Sequence, residues 1–180
     1  RAVPLLEQAI AVDSTYAPAY AALGVVKAAQ GDFVGGLRAC EQAVRADSLH
    51  SDAWCDLGAA YVRQQRYPEA SAAYVRAVAL DSAQARGYDG LGQVYLKEKR
   101  YADAIAVLER AVSLDPLGMR AFHNLGSAYV RSGNTEKGRR LLAVAARLSA
   151  QERRIDMLKD GIQRRPEDAQ LFYNLAVLYG

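Results

Sequence analysis

An all-α solenoid of antiparallel helix pairs is the fold the sequence predicts, and three observations predict it. The first is self-similarity. Ala19-Tyr20-Ala21-Ala22-Leu23-Gly24 returns as Ala53-Trp54-Cys55-Asp56-Leu57-Gly58, as Gly87-Tyr88-Asp89-Gly90-Leu91-Gly92 and as Ala121-Phe122-His123-Asn124-Leu125-Gly126, each block 34 residues after the last. The second is spacing. Trp54, Leu57 and Tyr61 stand three and four residues apart, as do Tyr88, Leu91, Tyr95 and Phe122, Leu125, Tyr129. That is the stripe of one helix face. The third is the small residues at fixed repeat positions, Gly24, Gly58, Gly92 and Gly126 with Ala43, Ala77, Ala111 and Ala145. They let neighbouring helices approach closely. One unit cannot bury its own stripe, so units must stack.

The elements follow in order. Residues 2–12 read as a single helix. Helix pairs are predicted at 17–30 and 33–46, 51–64 and 67–80, 85–98 and 101–114, and 119–132 and 135–148. Asp47-Ser48, Asp81-Ser82 and Asp115-Pro116 supply the turns between units. The period then breaks, because Met119 to Ala169 is a step of 50. Ser149-Ala150-Gln151-Glu152 has the form of a capping box, so a fresh, extra helix is expected near 151–165. Ile155, Leu158 and Ile162 give it a stripe, and Pro166 ends it. A continuous helix from Thr135 to Arg165 is the rival, since Leu141, Leu148, Ile155 and Ile162 lie seven apart. A last helix is predicted at 169–179, for about eleven in all.

The pattern resembles the tetratricopeptide repeat (TPR), a 34-residue helix–turn–helix unit. The family's large aromatic near the start of each first helix matches Tyr20, Trp54, Tyr88 and Phe122, and its Leu-Gly pair matches all four units. Its tyrosine matches Tyr61, Tyr95 and Tyr129, but Lys27 stands there in the first unit. Its mid-unit alanine matches Ala70 and Ala104, whereas Gly36 and Gly138 replace it elsewhere. The resemblance implies a right-handed superhelix whose first helices line a concave groove. The expected division is 1–16 (a second helix), repeats at 17–50, 51–84, 85–118 and 119–150, an extra helix at 151–168, and a first helix at 169–180. Both ends thus read as half-repeats, and an excerpt of a longer array, or the ordered part of a bigger protein, is expected. The Ala- and Arg-rich repeat style resembles bacterial members.

Composition excludes several classes. At 51% hydrophobic and 24% charged the chain is an ordinary globular sequence. No apolar run is long enough to span a bilayer, so no membrane insertion is expected. A net charge of +3 does not argue for nucleic acid. The aromatics that would stack bases are taken by repeat core positions, apart from Tyr16 and Tyr173. Two cysteines make no disulfide framework and leave the compartment, cytoplasmic or periplasmic, open. Cys40, His50 and Cys55 match no zinc spacing, so no metal is expected. No phosphate-binding, hydrolase or zincin motif occurs, so neither cofactor nor enzyme activity is expected.

By the resemblance, the polar groove residues are Asp52, Cys55, Asp56 and Arg63, then Arg86, Asp89, Gln93 and Lys97, then Arg120, His123, Asn124, Ser127 and Arg131. Cys55 is therefore expected to be accessible, and Cys40 to be core. The first unit offers small apolar residues such as Ala21, Val25 and Ala29. Some family members hold chaperone C-termini with a two-carboxylate clamp. The corresponding residues here, Ala21, Val25, Asp56, Arg86 and Gly90, or Cys55, Ala59, Gly90, Arg120 and Asn124, fit it in neither register. Charge is uneven. Lys137 to Arg165 holds nine basic and three acidic residues, a local +6. Arg153, Arg154, Arg164 and Arg165 are expected to form a basic shoulder where the groove ends near Ser149, facing an acidic partner. A solvated face with local pairs such as Asp160–Arg164 is the alternative. The function expected is a scaffold binding a peptide or partner protein. The other reading is a structural or regulatory module of a larger polypeptide, such as an enzyme, kinase or electron-transfer complex.

Overall fold

The structure is a computed structural model that describes residues 2–179. Among them lie ten α-helices and no strand: α1 (Ala2–Val12), α2 (Ala17–Ala29), α3 (Phe33–Ala46), α4 (Ser51–Arg63), α5 (Tyr67–Leu80), α6 (Ala85–Lys97), α7 (Tyr101–Leu114), α8 (Met119–Arg131), α9 (Thr135–Arg164) and α10 (Ala169–Tyr179). Two compact units divide the chain, Arg1–Pro116 with α1–α7 and Leu117–Gly180 with α8–α10. In the first unit each helix packs on the next, and α2 also meets α4 and α4 meets α6. In the second, α8 and α10 each pack on α9.

The expected break at Ser149 is not there. α9 runs unbroken for 30 residues, which gives ten helices rather than eleven and no separate helix near 151–165. The capping box fails because Ser149 stays inside the helix. Its hydroxyl accepts a hydrogen bond from the Arg153 guanidinium at 2.9 Å instead of bonding a helix-start N–H. No proline falls within Thr135–Arg164, and most of its residues are good helix formers. The helix stops at Arg165, whose φ of −138° and ψ of 72° leave the α region that Pro166 disfavours for the residue before it.

The turn inside each helix pair has one conformation and two chemistries. Gly31, Gln65, Lys99 and Gly133 occupy the same repeat position, and all have positive φ, at 88°, 60°, 61° and 99°. Where glycine fits this backbone without strain, the next residue caps the second helix: Asp32 accepts from Gly35 N at 2.8 Å and Asn134 from Lys137 N at 3.3 Å. Where Gln65 and Lys99 stand, an arginine follows and stacks on the tyrosine ending the first helix. Arg66 lies 4.6 Å from the Tyr61 ring centre and Arg100 4.3 Å from that of Tyr95. Each arginine also pairs with an acid three residues on, Glu69 or Asp103, at 2.8 Å. Lys27 offers no ring in the first unit, which fits the use of a cap there.

Close helix approach explains the two glycines that replace alanine. A Cβ on Gly36 would lie 3.0 Å from the Gly24 carbonyl oxygen. One on Gly138 would lie 2.7 Å from the Gly126 carbonyl oxygen and 2.8 Å from Val130 N. In these two pairs backbone touches backbone. In the middle pairs a side chain fills the gap. Buried Tyr74 lies between Gly58 and Gly90, and fully buried Leu108 rests against Gly92. The core is otherwise made of the repeat residues, including Ala43, Leu57, Leu91 and Val94 in the first unit and Leu125 and Ala145 in the second.

Candidate interaction surface

The first helices of the first unit, α2, α4 and α6, pack side by side, so they share a face. On it Asp52, Arg63, Arg86 and Lys97 are exposed, and Asp56 and Gln93 are half-buried. Two expected groove residues are not on the surface. Cys55 is fully buried and Asp89 is 5% exposed. Packing of α4 on α6 covers Cys55, whose sulfur would lie 3.5 Å from a Cβ on Gly87. The Cys55 thiol donates to Gln84 Oε1 at 2.8 Å.

These residues form one network. Arg86 pairs with Asp56 through one guanidinium nitrogen and reaches Asp52 at 3.9 Å. Burial works against the Arg86 charge, but the hydrogen bond and charge of Asp56 prevail and hold its pKa above the ordinary value. Gln84, just before α6, donates to Asp52 at 2.8 Å and to the Ser51 hydroxyl at 3.2 Å while accepting from Cys55. Gln84 thus ties α4 to α6. It stands outside the helices in a turn, and no helical pattern singles it out. Among the described residues no group of three or more His, Cys, Asp or Glu is placed to hold a metal. No helix of the described residues is long and apolar enough to cross a membrane.

Both cysteines are free and buried. Burial pushes the Cys40 and Cys55 thiols up to about 12. The thiolate is the reacting form, so both should resist alkylation. Iodoacetamide at pH 8 is expected to leave the native chain unmodified by mass spectrometry and to add two carbamidomethyl groups in denaturant. Rapid native labelling of Cys55 would mean that α4 and α6 separate there.

In the second unit, Arg120, His123 and Arg131 are exposed on α8, and Asn124 and Ser127 are half-buried. Arg153, Arg154, Arg164 and Arg165 are exposed at the C-terminal end of α9 and just after it. Arg164 pairs with Asp160 at 2.8 Å, as its spacing suggests, and Arg165 reaches Asp168 at 3.6 Å. α10 packs on α9, with Leu171 against Gly161.

Two family models match the chain, one described as TPR repeat over residues 58–99 and one as tetratricopeptide repeat over 95–162. No curated protein sequence matches it. Among solved structures it resembles MamA, with 23% identity, a TM-score of 0.71 and coverage of 83% of this chain and 88% of that one. It also resembles YrrB, described as a TPR protein with an unusual peptide-binding site, at 22% identity and a TM-score of 0.64 over 96% of this chain and 80% of that one. A third likeness is to a chain of the APC/C hetero-tetramer Cut9–Hcn1, at 15% identity and a TM-score of 0.74, over 97% of this chain but 38% of that one. At such identities these likenesses speak to the fold. Taken with the four matching repeat registers and the family models, which together span residues 58–162, they place this chain in the tetratricopeptide repeat family.

Proposed function

We propose that this protein is an interaction scaffold that holds a peptide or partner protein against the face built by α2, α4 and α6. The observation that carries this reading is the row of three packed first helices with Val25, Arg63, Arg86 and Lys97 open to solvent. The Gln84 and Arg86 bridges hold α4 and α6 in place before a ligand arrives, which lowers the entropy cost of binding. The peptide-binding site named for YrrB is in keeping with this. The role needs no chemistry of its own. The exposed arginines of α9 form a separate basic surface. The exposed Phe172, Tyr173, Val177 and Tyr179 of α10 favour a second reading, a structural module within a larger assembly.

The test is selection of random peptides displayed on phage against the whole chain. Peptides that bind wild type are expected to lose about tenfold or more in affinity on Arg63→Glu with Lys97→Glu. Arg76→Glu, exposed on the second helix α5, should leave binding unchanged. Peptides equally sensitive to Arg76→Glu would place the site elsewhere.

A further inference from the structure

The continuity of α9 creates a surface that a broken helix would not have. At about 100° per residue, Arg139, Arg140, Arg147, Arg153, Arg154 and Arg164 fall within an arc of roughly 140°. All six are exposed. At 1.5 Å per residue they extend over roughly 38 Å. Arg140, Arg147 and Arg154 repeat at intervals of seven. Arg140 pairs with Glu136 at 2.5 Å and Arg164 with Asp160 at 2.8 Å, both on exposed side chains. Exposed pairs of this kind are weak and easily exchanged. Arg139, Arg147 and Arg154 make no ion pair among the described residues.

Between the arginines the same arc carries Ala143, Ala146 and Ala150, all exposed. The ridge therefore has charged rails and a low floor as far as Met157; beyond it Gly161 also falls in the arc, and Leu171 of α10 packs there. A low floor lets another helix approach to about 8–10 Å between axes. Met157, 74% exposed, is the exposed large apolar side chain on this arc, and half-buried Leu158 lies at its edge in phase with Arg140. One methionine gives little to insert into lipid, and the arc has no aromatic ring on which a base could stack. Arginine instead offers a planar fork that fits a carboxylate through two hydrogen bonds.

We propose that this face of α9 is the docking site for an acidic α-helix of a partner protein, one with Glu or Asp recurring every seven residues along one side. The inference rests on the scaffold reading only in taking the partner to be a protein. It uses a different element from the α2, α4 and α6 face. Seven-residue spacing puts successive partner carboxylates about 10 Å apart, which matches the step from Arg140 to Arg147 to Arg154. Adjacent arginines in that series lie about a Debye length apart at 0.1 M salt. Their mutual repulsion is therefore modest, and a carboxylate at each one relieves it.

The experiment uses the whole chain and a synthetic, labelled helical peptide of about 21 residues, long enough to span Arg140, Arg147 and Arg154. Its glutamates lie on one face at seven-residue intervals. A scrambled peptide of the same composition is the comparison. Fluorescence anisotropy is expected to show the patterned peptide binding about tenfold or more tightly than the scrambled one, with steep weakening as salt rises. Arg147→Glu with Arg154→Glu should abolish that preference, with helix content by circular dichroism unchanged. Arg63→Glu with Lys97→Glu should leave it intact, which separates failure here from failure of the α2, α4 and α6 reading. Equal binding of both peptides would overturn the proposal. So would tighter binding to phosphatidylserine vesicles or to single-stranded RNA than to the patterned peptide.

Discussion

Replacing Gly138 by valine is expected to destabilise the second unit strongly. A Cβ there would meet Val130 Cγ2 at 2.6 Å, the Gly126 carbonyl oxygen at 2.7 Å and Val130 N at 2.8 Å. Two of these three atoms are backbone atoms of α8, so no rotamer change relieves the contact. α8 and α9 must move apart, which opens the packing of Leu125, Ala128 and Ala145. Overpacking of a tight core costs about 1–3 kcal/mol when side chains can shift, and more when they cannot. The expected loss is about 3 kcal/mol or more, read from urea unfolding by circular dichroism. Gly161→Ala in the same helix is the control. Its Cβ would approach only Leu171 side-chain atoms, at 3.3 Å and beyond. Removing a glycine from a helix interior gains about 0.5–1 kcal/mol, which offsets that contact. A similar midpoint for both variants would mean that α8 and α9 do not touch through their glycines.

Leu91→Ala is expected to cost about 2–5 kcal/mol, and Leu125→Ala the same. Leu91 is 4% exposed and packs with Tyr74 and Val94 in the core shared by α4–α7. Its truncation leaves a cavity beside Tyr74, a ring already lodged between Gly58 and Gly90 and unable to move far into the space. Lys97 is exposed at the end of α6, so Lys97→Ala should shift stability by only about 0.5 kcal/mol. Thermal unfolding monitored at 222 nm gives the comparison. Equal shifts for Leu91→Ala and Lys97→Ala would contradict the face assigned to each.

The repeat period and nearly every helix boundary are readable from residues alone. Each unit states its stripe, its small residues and its turn in the same register, and errors in one unit are corrected by the next. Predicted bounds such as 33–46, 67–80 and 101–114 coincide with α3, α5 and α7. The one failure lies where the repetition stops. At Ser149 a local capping signature competed with helix propagation, and nothing in a single register could weigh them. Propagation wins because Ser149 bonds Arg153 along the helix and Pro166 is the first residue that must end it.

The candidate site is less legible. Repeat position names the helix but not how far a side chain turns from its neighbour. Asp52, Asp56 and Arg86 are brought together, while Cys55 and Asp89, marked for the same face, go inward. Gln84 was hidden because its role depends on a distance between two helices, not on any spacing within one. The arginine ridge shows the same division. A local +6 is plain in the residues, but a charge count has no direction. Only an unbroken α9 gives six arginines a common axis, and so a common face, because side-chain direction follows helix phase and phase is lost at every break. Helical periodicity is a local property that a chain carries in its order of residues. Which faces end up buried, bridged or open is settled by packing between elements, and that requires the folded molecule.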